Sequence, residues 1–435
     1  MLDKMALKTY NDGKDGETLY GKDGVGLSVE NRGNYMGNIK NRRLLSMLCA
    51  LALAVSVCVP VSAAAEETEP VQTLTASEAR EMQQTDAAVT ALTDSDAYTA
   101  MSREERIDAA LDQLDMLAQR KLVQNGSVYL DEENGMVSFA YSCGALGGIL
   151  LETPEQPDEE EPLGEQELAQ QLEEALETAQ LDEENLAKAS AAIYYAFDDP
   201  ADSSRYPYYK YMQTYWKTRG LDTKLNTQVT VSSLRKLADS DLNILSAHGA
   251  YYTYQYGWLW KRHETEPVIL LLEKADFWND LRYGFDLLNH RIIKINGMYA
   301  VTPDFFEAAY RSGQLEDVIV ISETCEFYGK DHAFDASIAE ALLDAGASAV
   351  VGYVNNVYTI YSRSMLWSMV NDLIEGETVQ QAVENAQARY GEDDLVWYRA
   401  QGGKRPHAAA SYPVLSGQAD ATLKLRRRGW WPLAA

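Results

Sequence analysis

From residue 188 onward, apolar and polar positions alternate in blocks rather than one by one. ASAAIYYAF (189–197), LNILSA (242–247), PVILLL (267–272), RIIKIN (291–296), VIVISE (318–323) and SAVVGY (348–353) are near-continuous apolar runs and predict buried strands. SSRYPYYKYMQTYWKTRG (203–220), SSLRKLADS (232–240), SIAEALLDAG (337–346), SMLWSMVNDLIEG (364–376) and VQQAVENAQARYG (379–391) predict helices between them. Apolar strands separated by helices imply an α/β fold, a mostly parallel sheet covered on both faces. Chemistry in such sheets gathers at the carboxyl ends of the strands.

Upstream the pattern changes. SREERIDAALDQLDMLAQRKL (102–122) opens on a capping serine and predicts a helix, and Asn134-Gly135 in SVYLDEENGMVSFAYS is a hairpin signal. Residues 66–151 therefore form a small α+β N-terminal region, with 66–100 read as a flexible mature start. Residues 152–187 read as an acidic linker followed by an exposed helix; without an Asp/Asn loop pattern they make no calcium site. The larger α/β domain then spans 188–425, with a tail at 426–435.

KNRRLLSMLCALALAVSVCVPVSAAAEE (40–67) has a basic start, an apolar centre and a small-residue exit, the pattern of a secretory signal peptide cut near Ala63–Ala65. The signal is assigned to 36–65 and Met36 to the true start, which makes 1–35 an extension. A protein that is secreted or held at the cell surface is expected, with no membrane span after cleavage. The formal net charge of −28 argues against nucleic acid as a partner, since phosphates would be repelled. A monomer is expected.

Cleavage would leave only Cys143 and Cys325 in the mature chain, too few for a disulfide framework. Cys143 follows a strand-like segment and reads as a small buried residue. Cys325 stands at the tip of VIVISE, flanked by Glu323-Thr324 and Glu326. LNILSA ends in the same way on His248-Gly249. If the two strands are parallel neighbours, a thiol and an imidazole emerge at one edge as nucleophile and proton-transfer partner. The N–H groups of Gly249 and Cys325 would then face a developing oxyanion. No cluster has zinc spacing, and GALGG (144–148) lacks the spacing of a phosphate loop, so no metal or cofactor is expected.

An apolar strand ending in His-Gly, followed by an apolar strand ending in x-Cys, resembles the caspase-like cysteine peptidases. The segment VIVISETCEFYGKDHAFDASIAEALLDAGASAVVGYVNNVYTIY is similar to secreted bacterial members of the clostripain, gingipain and CHAT types. YPVLSGQADATL (412–423) resembles a degenerate form of their C-terminal strand. The resemblance covers about 188–425. It implies a caspase-like α/β/α sandwich and a cysteine endopeptidase acting on a peptide or protein substrate, with Cys325 as nucleophile and His248 as general acid/base. It also implies that Glu323, two before the nucleophile, lines the pocket for the P1 side chain. Asp198 or Asp199 on the loop after the first strand would assist, favouring Arg or Lys at P1. His332 is a rival base on the loop after the cysteine; His263, His290 and His407 have no comparable placement. The tyrosines of AYYTYQYGWLW could line a substrate groove or simply pack. The N-terminal region is expected to act as an inhibitory propeptide, with Arg205, Lys210 and Arg219 as self-cleavage sites. Two alternatives remain, an inactive caspase-like interaction module and a small-molecule acyl hydrolase with the same dyad.

Overall fold

A capping box opens the first helix. Thr75 accepts a hydrogen bond from the Glu78 amide, and the Glu78 carboxylate returns one from the Thr75 amide. The structure, a computed structural model, describes residues 73–151, 165–179, 189–197, 208–256, 261–403 and 409–424. The extension 1–35, the signal segment 36–65, Asp198, Asp199, Arg205, His407 and the tail 426–435 lie outside the described residues.

The N-terminal region contains α1 (Ala76–Thr93), α2 (Asp96–Thr99), α3 (Arg103–Gln119), β1 (Tyr129–Asp131), β2 (Met136–Ala140) and β3 (Leu146–Leu150). The flexible start expected over 66–100 is thus helical from Ala76. Its buried stripe, Ala79, Met82, Thr85, Asp86 and Val89, has helical spacing but includes two polar residues, which masks the periodicity. The hairpin forms as the turn chemistry requires: Asp131 pairs with Met136, and Gly135 takes a positive φ of 59°.

Next come α4 (Glu165–Thr178), β4 (Ala189–Ala196), α5 (Tyr208–Thr218), β5 (Leu221–Asn226), a 3-10 turn (Leu234–Asp239) and β6 (Leu242–Ala247). They are followed by β7 (Gly249–Tyr256), β8 (Arg262–Lys274), α6 (Phe277–Arg282), α7 (Gly284–Leu288), β9 (Ile292–Ile295), β10 (Met298–Val301) and α8 (Pro303–Ala309). The remainder is β11 (Ile319–Ser322), β12 (Gly329–Lys330), β13 (Ala333–Phe334), α9 (Ser337–Asp344), β14 (Ala349–Tyr353), α10 (Thr359–Glu375), α11 (Val379–Tyr390), α12 (Asp394–Ala400) and β15 (Pro413–Gly417).

The first sheet has the order β15-β14-β11-β6-β4-β5, parallel except for β15 at one edge. Ile193, Ile244, Ile321 and Val351 bury one face under Met212 and Trp216 of α5 and Leu366 and Val370 of α10. Tyr194, Leu245, Val320 and Val350 bury the other against α8, α9 and strands of the second sheet. This is the α/β layering expected. β5 escaped the sequence reading because it is an edge strand that alternates buried and exposed positions with no apolar run.

PVILLL and RIIKIN are strands, but they do not join the parallel sheet. They lie in β8 and β9 of a second, mixed sheet with order β1-β2-β3-β9-β10-β8-β7. Val268 and Leu270 face one apolar cluster while Ile269 and Leu271 face another. A strand buried on both faces is continuously apolar in either kind of sheet, so hydropathy does not separate the two. The N-terminal region is built into this same sheet: β3 runs parallel to β9, with Gly147 opposite Lys294.

Candidate active site

Strands β6 and β11 are parallel neighbours, with Ile244 opposite Ile321 and Ser322 opposite Leu245. The ladder continues past β11, as the Glu323 amide donates to the Leu245 carbonyl at 2.8 Å. Four residues beyond the Ile244–Ile321 pair, the two chains reach His248 and Cys325 at the same carboxyl edge. Because side chains alternate along a strand, Ile244, Ser246 and His248 share a face with Ile321, Glu323 and Cys325. That is the face covered by α5 and α10, and Cys325 packs against its apolar cluster. Phe197, at the end of neighbouring β4, meets the His248 ring edge-on at 4.6 Å between centroids.

Gly249 begins β7 and turns the chain into the second sheet. A β-carbon placed on it would lie 2.0 Å from the Cys325 carbonyl oxygen and 2.5 Å from Thr324 Cγ2. Only glycine fits there. Gly249 pairs with Ile269, while the Leu270 amide donates to the His248 carbonyl. This makes Gly249 a non-hydrogen-bonded position, and its N–H points away from β8. Since β7 is the edge strand, that N–H is directed off the sheet.

Cys325 is half-buried, and neither it nor Cys143 is in a disulfide. Its Sγ accepts the Val357 amide at 3.4 Å. Burial pushes the thiol up to about 12; the Val357 amide opposes this, and the negative Glu326 and Asp394 add to it. Near neutral pH the Cys325 side chain is therefore a neutral thiol. Val357 is held by a scaffold that no local pattern announces. The buried Asp394 carboxylate accepts the amides of Tyr358 at 3.1 Å and Ser411 at 2.7 Å, fixing the segment between β14 and α10. Glu326, directly after the cysteine, takes a left-handed φ of 53° and donates its amide to the Asn355 carbonyl. Burial raises its carboxyl, against the nearby Lys330 at 3.6 Å.

Glu323 is buried one alternation below the cysteine. Its carboxylate accepts hydrogen bonds from Tyr209 at 2.9 Å and Ser362 at 3.3 Å, with Ser246 also bonded to it. Arg363 donates from Nε to the Tyr209 hydroxyl at 3.3 Å and lies 5.2 and 5.4 Å over the Tyr208 and Tyr209 rings. Burial raises the Glu323 carboxyl, and the Arg363 charge is the largest effect opposing it. The expected substrate-reading acid thus has an internal cation, supplied by a helix distant in sequence.

The other histidines sit elsewhere. His332 is exposed and pairs with Glu133 at 2.5 Å. His263 packs its ring 4.2 Å from that of Tyr129, and His290 Nε2 lies 3.2 Å from the Gly144 carbonyl. All three contacts reach the N-terminal region. Tyr251 and Tyr252 of the aromatic segment in β7 are buried and bonded to the Ala333 and Gly147 carbonyls. Lys210 and Arg219 lie in and just after α5, and Arg219 pairs with Glu375. Among the described residues no group of three His, Cys, Asp or Glu is placed to hold a metal, and no helix is long and apolar enough to cross a membrane. No protein-family model matches the chain, and no curated protein matches it.

Proposed function

We propose that this chain is a caspase-like cysteine endopeptidase. The observation that carries the reading is the delivery of His248 and Cys325 by adjacent parallel strands to one edge and one face, with the Gly249 backbone against that of Cys325. On this reading Cys325 Sγ attacks the scissile carbonyl while His248 takes the thiol proton. His248 then returns the proton to the leaving amine, and water hydrolyses the acyl-enzyme. The Gly249 and Cys325 amides donate to the oxyanion. A thiol raised by burial needs this proton acceptor, because it carries almost no thiolate near neutral pH.

Arg363 already meets the Glu323 charge, so a basic P1 side chain would have to compete with it. A preference for Arg or Lys would otherwise have to come from Asp198 and Asp199, which lie outside the described residues.

The raised thiol favours a second reading, a caspase-like domain that binds without cutting. Incubating the mature chain with fluorogenic peptides that vary at P1, beside Cys325→Ala, separates the two. Cleavage lost in the variant supports the peptidase. No cleavage of any peptide, with no labelling of Cys325 by a thiol-reactive peptide probe, refutes it. Turnover of small esters alone would assign an acyl hydrolase instead.

A further inference from the structure

Lys294 of β9 has a side chain wholly withdrawn from solvent, where an ammonium group is costly unless it is paired. Its Nζ lies 2.7 Å from Asp86 Oδ2 on α1, and 2.7 and 2.8 Å from the two carboxylate oxygens of Asp280 on α6. Both aspartates are buried. Tyr141 donates to Asp86 Oδ1 at 2.5 Å, while Tyr299 and Gln83 each donate to Asp280 at 2.8 Å. The Tyr141 and Tyr299 rings lie 5.2 and 6.0 Å from the ammonium. Two acids and one base are thus enclosed without water-facing charge.

The two acids are held differently. Asp280 accepts hydrogen bonds from Lys294, Tyr299 and Gln83. Burial pushes the Asp86 carboxyl up towards its acid form, the Lys294 charge opposing. One Asp86 oxygen faces the amine and the other is held by a phenol. An amine against a carboxyl, with a donor on the carbonyl oxygen and a neighbouring carboxylate to take a proton, is positioned for condensation.

We infer that Lys294 and Asp86 form an intramolecular isopeptide bond, an amide from Nζ to Cγ, with Asp280 as the proton-transfer group. Asp280 takes a proton from the ammonium, and the freed electron pair attacks Cγ of the protonated Asp86. The oxygen that becomes negative is the one bonded to Tyr141. A second nitrogen proton passes to the departing Oδ2 hydroxyl, which leaves as water. One C–N bond forms, one C–O bond breaks, and Asp280 retains one proton. No oxidant or co-reactant enters. A buried ion pair is replaced by a neutral amide and a neutral acid, which removes the desolvation cost of both charges. The link joins residues 208 apart and fastens α1 to the second sheet.

Denatured-state mass spectrometry of the mature chain tests this directly, because ion pairs do not survive denaturation. The expected mass is below the sequence mass by one water, with tryptic peptide 81–103 joined through an uncut Lys294 to 292–311. Lys294→Arg and Asp280→Asn should each restore the full mass. A wild-type chain at full mass, with trypsin cutting after Lys294, overturns the proposal and requires no folded variant. Water loss mapped instead to a link between 275–282 and 292–311 overturns the assignment to Asp86.

Discussion

Gly249 lies against the backbone of Cys325 so closely that a β-carbon on it would stand 2.0 Å from the Cys325 carbonyl oxygen. That contact fuses the histidine strand to the cysteine turn and leaves no room for any side chain. Gly249→Ala should therefore separate the two, lowering stability by about 1–3 kcal/mol. It should reduce peptide turnover on the order of 100-fold or more by displacing the amide proposed as an oxyanion donor. Denaturant unfolding and kcat/KM together check it; a variant with full stability and activity would show that the contact is not needed.

His248 and Cys325 are assigned to one proton-transfer step, so their effects should not add. Cys325→Ala should abolish turnover, and His248→Gln should lower it by roughly 10²–10⁴-fold. The double variant should be no worse than Cys325→Ala alone. A His248→Gln enzyme of normal rate would remove histidine from the mechanism.

Burial holds the Cys325 thiol near 12. Iodoacetamide labelling of Cys325, followed by peptide mapping, should still climb about tenfold per pH unit between roughly pH 8 and 10, where an ordinary thiol of about 8.5 levels off. The folded value lies above the unfolded one. The associated stability is therefore present at neutral pH and declines as pH rises from about 8.5 towards 12. A plateau near pH 8.5 would contradict the burial argument.

Glu323 joins β11 to α5 and α10 through Tyr209 and Ser362, with Arg363 as its cation. Glu323→Gln should destabilise the fold by about 1–3 kcal/mol, because Arg363 loses its charge partner in a buried site. The rank order of P1 preference should be unchanged. A selective loss of turnover on Arg or Lys peptides, at unchanged stability, would instead make Glu323 the reader of the substrate.

A single protease cut within 152–164 should not release the N-terminal region. Its β3 is hydrogen-bonded into the second sheet, and Thr253, Lys330 and His332 each bond to residues of 131–134. Native size-exclusion chromatography of the nicked chain should give one peak containing both fragments. Departure of residues 66–151 with gain of activity would support an inhibitory propeptide that leaves.

Much of this architecture follows from short-range patterns. The apolar runs of β4, β6, β11 and β14, the capping serine of α3 and the Asn134-Gly135 turn each encode their local structure, because periodicity and turn chemistry act over a few residues. The placement of His248 and Cys325 at strand ends was legible for the same reason. Sheet membership was not: β8 and β9 are apolar on both faces, and nothing local distinguishes a parallel core strand from a doubly covered mixed one. Nor were the polar cores. α1 hides its buried stripe behind Thr85 and Asp86, whose burial makes sense only once Lys294, 208 residues beyond Asp86, closes over it. Arg363 meets Glu323 in the same long-range way. Hydrophobic burial is written along the chain because it repeats; a single ionic or hydrogen-bonded partner does not repeat, and only the folded chain chooses it.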